Sequence, residues 1–141
     1  MLAIIRMPIL SPPVDPALLH GAAGEPARLV VVALCAGWCN TCGEFRATLE
    51  QIAREQRTTT FVWLDIEDDA ALCGDVDVED FPTIAAFRGD QVLHYGTALP
   101  RRAVFTRLLE ELAQRAEPMA GVPDAVAELC RTLLGAAPSP D

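Results

Sequence analysis

The chain has 141 residues, a formal net charge of -9 and a pI near 4.6, and it is 51% hydrophobic and 22% charged. That length suits one domain with a core of its own, and the composition excludes a disordered or collagen-like chain. The acidity excludes a surface that follows phosphate backbones, which takes clustered Lys and Arg, so nucleic acid is not an expected partner.

In chain order, the apolar opening Met1-Leu2-Ala3-Ile4-Ile5 stops at Arg6, with Pro8, Pro12 and Pro13 following. This is too short for an export signal, and nothing later approaches a membrane span, so the expected location is the cytoplasm, with no membrane partner. Residues 1–27 read as an arm with one short helix, Asp15 to His20, where Asp15 caps and Pro16 occupies the first turn. Arg28 to Ala36 (RLVVVALCA) is a continuous β-branched apolar run, the pattern of a strand buried on both faces. Asn40 to Gln56 carries Phe45, Leu49, Ile52 and Ala53 at helical spacing, opposite Glu44, Arg46, Glu50, Arg54 and Glu55. Thr59 to Ile66 is a second buried strand, and strand, helix, strand implies parallel pairing.

Glu67 to Gly74 reads as an acidic loop with a short helix ending at Gly74. Thr83 to Arg88 and Gln91 to Tyr95, joined by Gly89-Asp90, form a hairpin. Pro100 to Arg115 is an amphipathic helix with Pro at an early position and Val104, Phe105, Leu108, Leu109 and Leu112 on its apolar side. Pro118 and Gly121 break the chain before a further helix, Pro123 to Leu134, and Gly135 to Asp141 is a Pro and Ala tail expected to fray. The domain reading is therefore one unit, with a core at about 28–115 and an extension at 116–141.

Five cysteines, Cys35, Cys39, Cys42, Cys73 and Cys130, are an odd number without the spacing of a small secreted scaffold. Cys39 and Cys42 stand apart because they open a helix directly after a strand. A thiol at a helix N-terminus meets unsatisfied N–H groups and the positive end of the macrodipole, which favour thiolate. Three residues on, Cys42 lies nearly one turn away, within reach of Cys39 for a disulfide and more deeply covered. The outer thiolate then attacks a disulfide and the inner one resolves the mixed disulfide. Zinc uses the same C-x-x-C pair but takes a second ligand pair, whereas His20, His94, Cys73 and Cys130 are isolated, so no metal is assigned.

Residues from about Arg28 to Arg115 resemble the thioredoxin family. Trp38-Cys39-Asn40-Thr41-Cys42 matches its W-C-x-x-C motif, Phe81-Pro82-Thr83 its hydrophobic-Pro-Thr segment, and Gly89 and Gly96 its terminal hairpin. The resemblance implies a three-layer α/β sandwich, with a mixed sheet of about four to five strands flanked by helices and an extra C-terminal helix. It also implies a cis Pro82 opposite the cysteines, with the Phe81 backbone pairing to a substrate strand. Where family members commonly hold a buried Asp and Lys, this chain has Ala33 and Trp63, so deprotonation of Cys42 falls to water or Glu44. The helix-kinking Pro is replaced by Ala47, which predicts an unbroken helix.

Asn40-Thr41 adds no cation beside Cys39, and Glu44, Asp75, Asp77, Glu79 and Asp80 are expected around the site edge. Cys39 is accordingly expected somewhat below the free thiol value of about 8.5, which suits a reductase. Glu67, Asp68 and Asp69 read as a solvated loop, Asp80 as a selector of neutral or basic substrates, and Trp38 as a contact surface. Cys35 reads as a small buried thiol, or alternatively a third redox thiol exchanging with Cys39. Cys73 and Cys130 read as bystanders, an exposed Cys130 being able to link two chains.

The expected function is protein-disulfide reduction or exchange, with Cys39 and Cys42 catalytic and Trp38, Phe81 and Pro82 contacting substrate. It needs no organic cofactor, takes electrons from a reductase or another thiol system, and is read as a monomer. The alternatives are a binding or adaptor module with little turnover, and a metal-binding protein.

Overall fold

The computed structural model describes residues 9–20, 28–56 and 58–135. The expectations for the opening apolar segment and for the tail beyond Gly135 lie outside the described residues. The chain builds a five-stranded sheet in the order β1-β3-β2-β4-β5, from β1 (Ile9–Leu10), β2 (Leu29–Cys35), β3 (Thr59–Asp65), β4 (Thr83–Arg88) and β5 (Gln91–Thr97). β2 pairs parallel with β3 and antiparallel with β4, so the sheet is mixed. β1 is an addition to the sequence reading: the arm contributes an edge strand that pairs with Phe61 and Val62. Two residues carry too little periodicity to be recognised locally, and the β3 edge supplies the partner.

Every β2 residue is buried because both faces of the sheet are covered. Alternation then divides them. Leu29, Val31 and Ala33 face α1 (Asn40–Glu55) and α3 (Arg102–Gln114), while Val30, Val32 and Leu34 face the other side. There they pack on α2 (Ala70–Cys73), α4 (Asp124–Leu133) and Leu19 of the short 3-10 helix Pro16–Leu19. In that helix Asp15 accepts the Ala17 N–H and Pro16 takes the first turn. The fully buried Phe45, Phe61, Phe87 and Phe105 each contribute about 1.5–3 kcal/mol of transfer free energy.

α1 runs unbroken past Ala47. Gly74 ends α2 with φ of 59°, a left-handed conformation that glycine adopts without a Cβ penalty. α3 begins later than its sequence reading: Arg101 is the N-cap, so Pro100 precedes the helix rather than filling its first turn. Val104, expected on the apolar side, is 43% exposed, because the α3 contact with the core is made by Phe105, Leu109 and Leu112. The Arg88 guanidinium donates to the carbonyls of Leu112, Ala113 and Arg115, closing the α3 C-terminus onto β4. Cys130 is 3% exposed, wedged into the lower layer as a core bystander, which leaves no exposed thiol there for the alternative of a link between chains. No helix among the described residues is long and apolar enough to cross a membrane.

Candidate active site

The site forms where β2 runs into α1. Cys35 ends the strand, Ala36 and Gly37 turn the chain, and Cys39 is the N-cap of α1, with its N–H bonded to the Ala36 carbonyl at 3.0 Å. Gly37 brings the chain close to Asp65: a Cβ there would sit 3.2 Å from Asp65 Oδ2, a tight contact. Cys39 is partly exposed and Cys42 is 2% exposed, the outer and inner arrangement expected of the pair. Both are free thiols, as are Cys35, Cys73 and Cys130.

The Cys39 pKa is lowered from 9.0, first by the backbone N–H of Cys42, then by the Cys42 thiol and by the Thr41 N–H and hydroxyl. The carboxylates expected to oppose this thiolate are not among the largest influences on it; the local helix turn decides. Cys42 is shifted upward, chiefly by burial, with hydrogen bonding to Cys39 adding to it and the Cys35 thiol and the Ala36 N–H acting against it. Cys35, 1% exposed, is raised well above the ordinary thiol range, mainly by burial. Among the other thiols Cys42 influences it ahead of Cys39, whereas the sequence alternative paired it with Cys39.

The Phe81–Pro82 peptide is cis and Pro82 is buried. Leu34 pairs with Thr83, so continuing the register puts Pro82 opposite Cys35 at the mouth of the site. The Thr83 hydroxyl donates to the Asp80 carbonyl at 2.6 Å and the Ala98 N–H to the Pro82 carbonyl at 3.0 Å, which hold this corner. Trp38, 65% exposed, stands edge-on to Phe81 with ring centroids 5.4 Å apart. Asp77, Glu79 and Asp80 line an open cleft beside the corner with Thr83 and Tyr95.

The acidic loop after β3 is more than solvated surface. Glu67 Oε1 accepts the Trp38 indole N–H at 2.6 Å, fixing the ring beside Cys39. Asp65 Oδ1 accepts the N–H groups of Glu67 and Asp68, and Asp69 Oδ2 accepts the Asp65 N–H. The D-x-x-x-D spacing at the strand end was the available signal for this self-bonded turn. Glu44, an expected proton acceptor for Cys42, is exposed and is not among the largest influences on that thiol. Ala33 and Trp63 are register partners, as the replaced pair requires. Trp63 lies 6.4 Å from the Phe45 ring and the Arg46 guanidinium covers it at 4.9 Å, so the replaced pair is an apolar layer under a cationic cover. Among the described residues no group of three or more His, Cys, Asp or Glu is arranged to hold a metal ion.

Comparisons with known proteins agree with this geometry. The chain is 31% identical over 94 residues to a protein disulfide-isomerase of Aspergillus oryzae, which covers 64% of this chain and 18% of that protein. It is 24% identical to a thioredoxin H-type of Brassica campestris, over 63% of this chain and 72% of the relative. The thioredoxin of Trypanosoma brucei brucei superposes with a TM-score of 0.62 at 18% identity, covering 82% of this chain and all of that one. The sheet, the helix that begins at Cys39 and the 20–110 match to the thioredoxin family model lead to one assignment: the chain belongs to the thioredoxin family, whose members are thiol-disulfide oxidoreductases.

Proposed function

We propose that the chain reduces or exchanges disulfides in protein substrates through the Cys39 and Cys42 dithiol. The observation that carries this reading is the pairing of a partly exposed thiol of lowered pKa with a buried thiol of raised pKa in one helical turn. Cys39 thiolate attacks a substrate disulfide, forming a mixed disulfide and releasing one substrate thiolate. Cys42 then attacks Cys39, closing the Cys39–Cys42 disulfide and releasing the second substrate thiol. Two electrons pass to the substrate, and a reductase or another thiol system returns them. Trp38, Phe81 and Pro82 form the contact surface, and the Phe81 backbone has no backbone partner among the described residues, which suits an extended substrate strand. The reading suits a monomer in a compartment that keeps thiols reduced, the cytoplasm.

The rival reading, an adaptor with little turnover, is favoured by the apolar register pair Ala33 and Trp63 at the positions where the family commonly holds a buried Asp and Lys. Insulin-disulfide reduction separates the two. The native chain is expected to turn over with a dithiol donor and Cys39→Ser to fall to background; equal rates sink the enzyme reading.

A further inference from the structure

The corner that carries Phe81 and Pro82 opens on two sides. β4 begins at Thr83, next to Leu34 of β2, and β5 ends opposite it at Thr97, so both strand ends lie at the end of the sheet where β2 runs into α1. The Ala98 N–H donates to the Pro82 carbonyl at 3.0 Å, which ties the loop after β5 to the corner. From that loop a second opening of about 310 Å³ runs between β5 and α3, and Thr97 lines both it and the acidic cleft. The two openings take opposite faces of the sheet. Tyr95 of the cleft packs on the α4 side, whereas Ala98 and Leu108 of the second opening pack on the side of α1 and α3. The second opening has apolar walls, made by Ala98, Leu99, Val104, Phe105 and Leu108. Leu99 is 61% and Val104 43% exposed, so with Trp38 they leave large apolar side chains open around this end of the sheet.

Building on the oxidoreductase reading, we propose that this groove holds an uncharged apolar side chain of the substrate polypeptide, a few residues from the cysteine that Cys39 attacks. Continuity with the corner sets the reach. Pro82 lies opposite Cys35 by register and Thr97 pairs with the next residue, Thr83, so the groove opens two strand spacings from the end of β2, about 10 Å. An extended chain covers that span in about three residues. Charge sets the chemistry of the occupant. Arg107 and Glu111, the acidic and basic residues of the lining, are of opposite sign, and burial chiefly, with Arg115 beside it, holds the His94 ring below its ordinary value. The groove therefore carries no net charge at neutral pH, and it rewards burial of a hydrocarbon side chain rather than a basic one, which suits the carboxylates across Thr97. Its volume is that of a site for a small ligand or side chain. A second copy of this chain fits less well. A stable dimer covers about 800 Å² on each partner, and Leu99 and Val104 are the large apolar side chains exposed here among the described residues. Both act on substrate choice and take no part in the exchange of bonds.

The test uses two homodimeric peptide disulfides, each strand carrying one central Cys in a neutral sequence, with either Leu or Ser at the third and fourth positions on both sides. Single-turnover reduction by an excess of the reduced full chain is followed by acid quench and chromatography. The native chain is expected to reduce the leucine peptide about tenfold faster than the serine peptide. Leu99→Ser combined with Val104→Ser is expected to bring that ratio to within about twofold of one by slowing the leucine peptide, and Leu99→Ser alone to give an intermediate ratio. A native ratio near one, a ratio that survives in both variants, or variants that slow the two peptides alike overturn the inference and leave the oxidoreductase reading intact. Sedimentation that finds a native dimer, broken by the double substitution with the ratio unchanged, also overturns it and assigns the groove to a second copy. Reduction of neither peptide by the native chain, or equal reduction by Cys39→Ser, removes the oxidoreductase reading and this inference together.

Discussion

Cys39 and Cys42 differ by position on one helical turn, and that difference sets their chemistry. Cys39 gains donors from its own turn, while Cys42 loses solvent, so one shifts down and the other up. Iodoacetamide alkylation of Cys39 should therefore rise with pH, as thiolate forms, and reach half its maximum below 9.0; a midpoint at or above 9.0 rejects the lowered value. Cys42→Ser should accumulate a mixed disulfide between Cys39 and substrate, visible by mass spectrometry of the unreduced protein. These two residues were legible because their spacing is local and a single C-x-x-C implies its own geometry. The role of Glu67 was not, since it acts on a residue of another element. The indole bond from Trp38 to Glu67 spans a separation in sequence that no local pattern encodes.

At the scale of elements, α1 rests on an apolar patch formed by Ala33, Phe45 and Trp63, with Arg46 over the tryptophan. Restoring only a carboxylate at Ala33, 1% exposed, puts a charge in that buried apolar layer, with the nearby Arg46 already paired to Glu50. Ala33→Asp should lower stability to urea unfolding by at least about 3 kcal/mol at neutral pH. Burial raises the carboxyl pKa in the folded state, so the loss should shrink as pH falls toward about 4, where the unfolded chain also binds the proton. A loss that is the same at both pH values argues that the site is wet. The strands and long helices were readable from periodicity of two and 3.6 residues, because each buries a repeating face. β1 and the start of α3 were not, since a two-residue strand is decided by its neighbour and Pro100 tolerates either side of a helix start.

Over the whole molecule, the buried thiols make stability depend on pH. Burial chiefly pushes Cys73 up to about 11 and Cys130 up to about 12, and Cys35 and Cys42 are also raised. Above 9.0 the unfolded chain releases these protons first, so the contribution of the raised thiols is lost as pH climbs. Cys39, shifted down, contributes in the opposite sense and only as pH rises toward 9.0. The melting temperature of the reduced protein should fall above pH 9, and Cys130→Ala should flatten that fall; an equal slope in the variant rejects the account. The net charge of -9 and the acidic cleft at Asp77, Glu79 and Asp80 predict faster reduction of basic than of acidic disulfide peptides, with the gap closing in high salt. Equal rates at low salt would remove any selective role for the cleft.

By itself the sequence determined strands β2 to β5, the long helices and the C-x-x-C spacing at the start of the helix that follows β2, because hydrophobic period and i to i+3 spacing are local properties of the chain, while the layered α/β architecture followed from the family resemblance of its motifs. Only the tertiary structure decided that Cys35 and Cys42 are both closed to solvent, that Glu67 holds Trp38, and that Cys130 is enclosed. Those relations depend on strand register and on which faces are covered, and burial, which shifts the thiols, exists only once distant segments have packed.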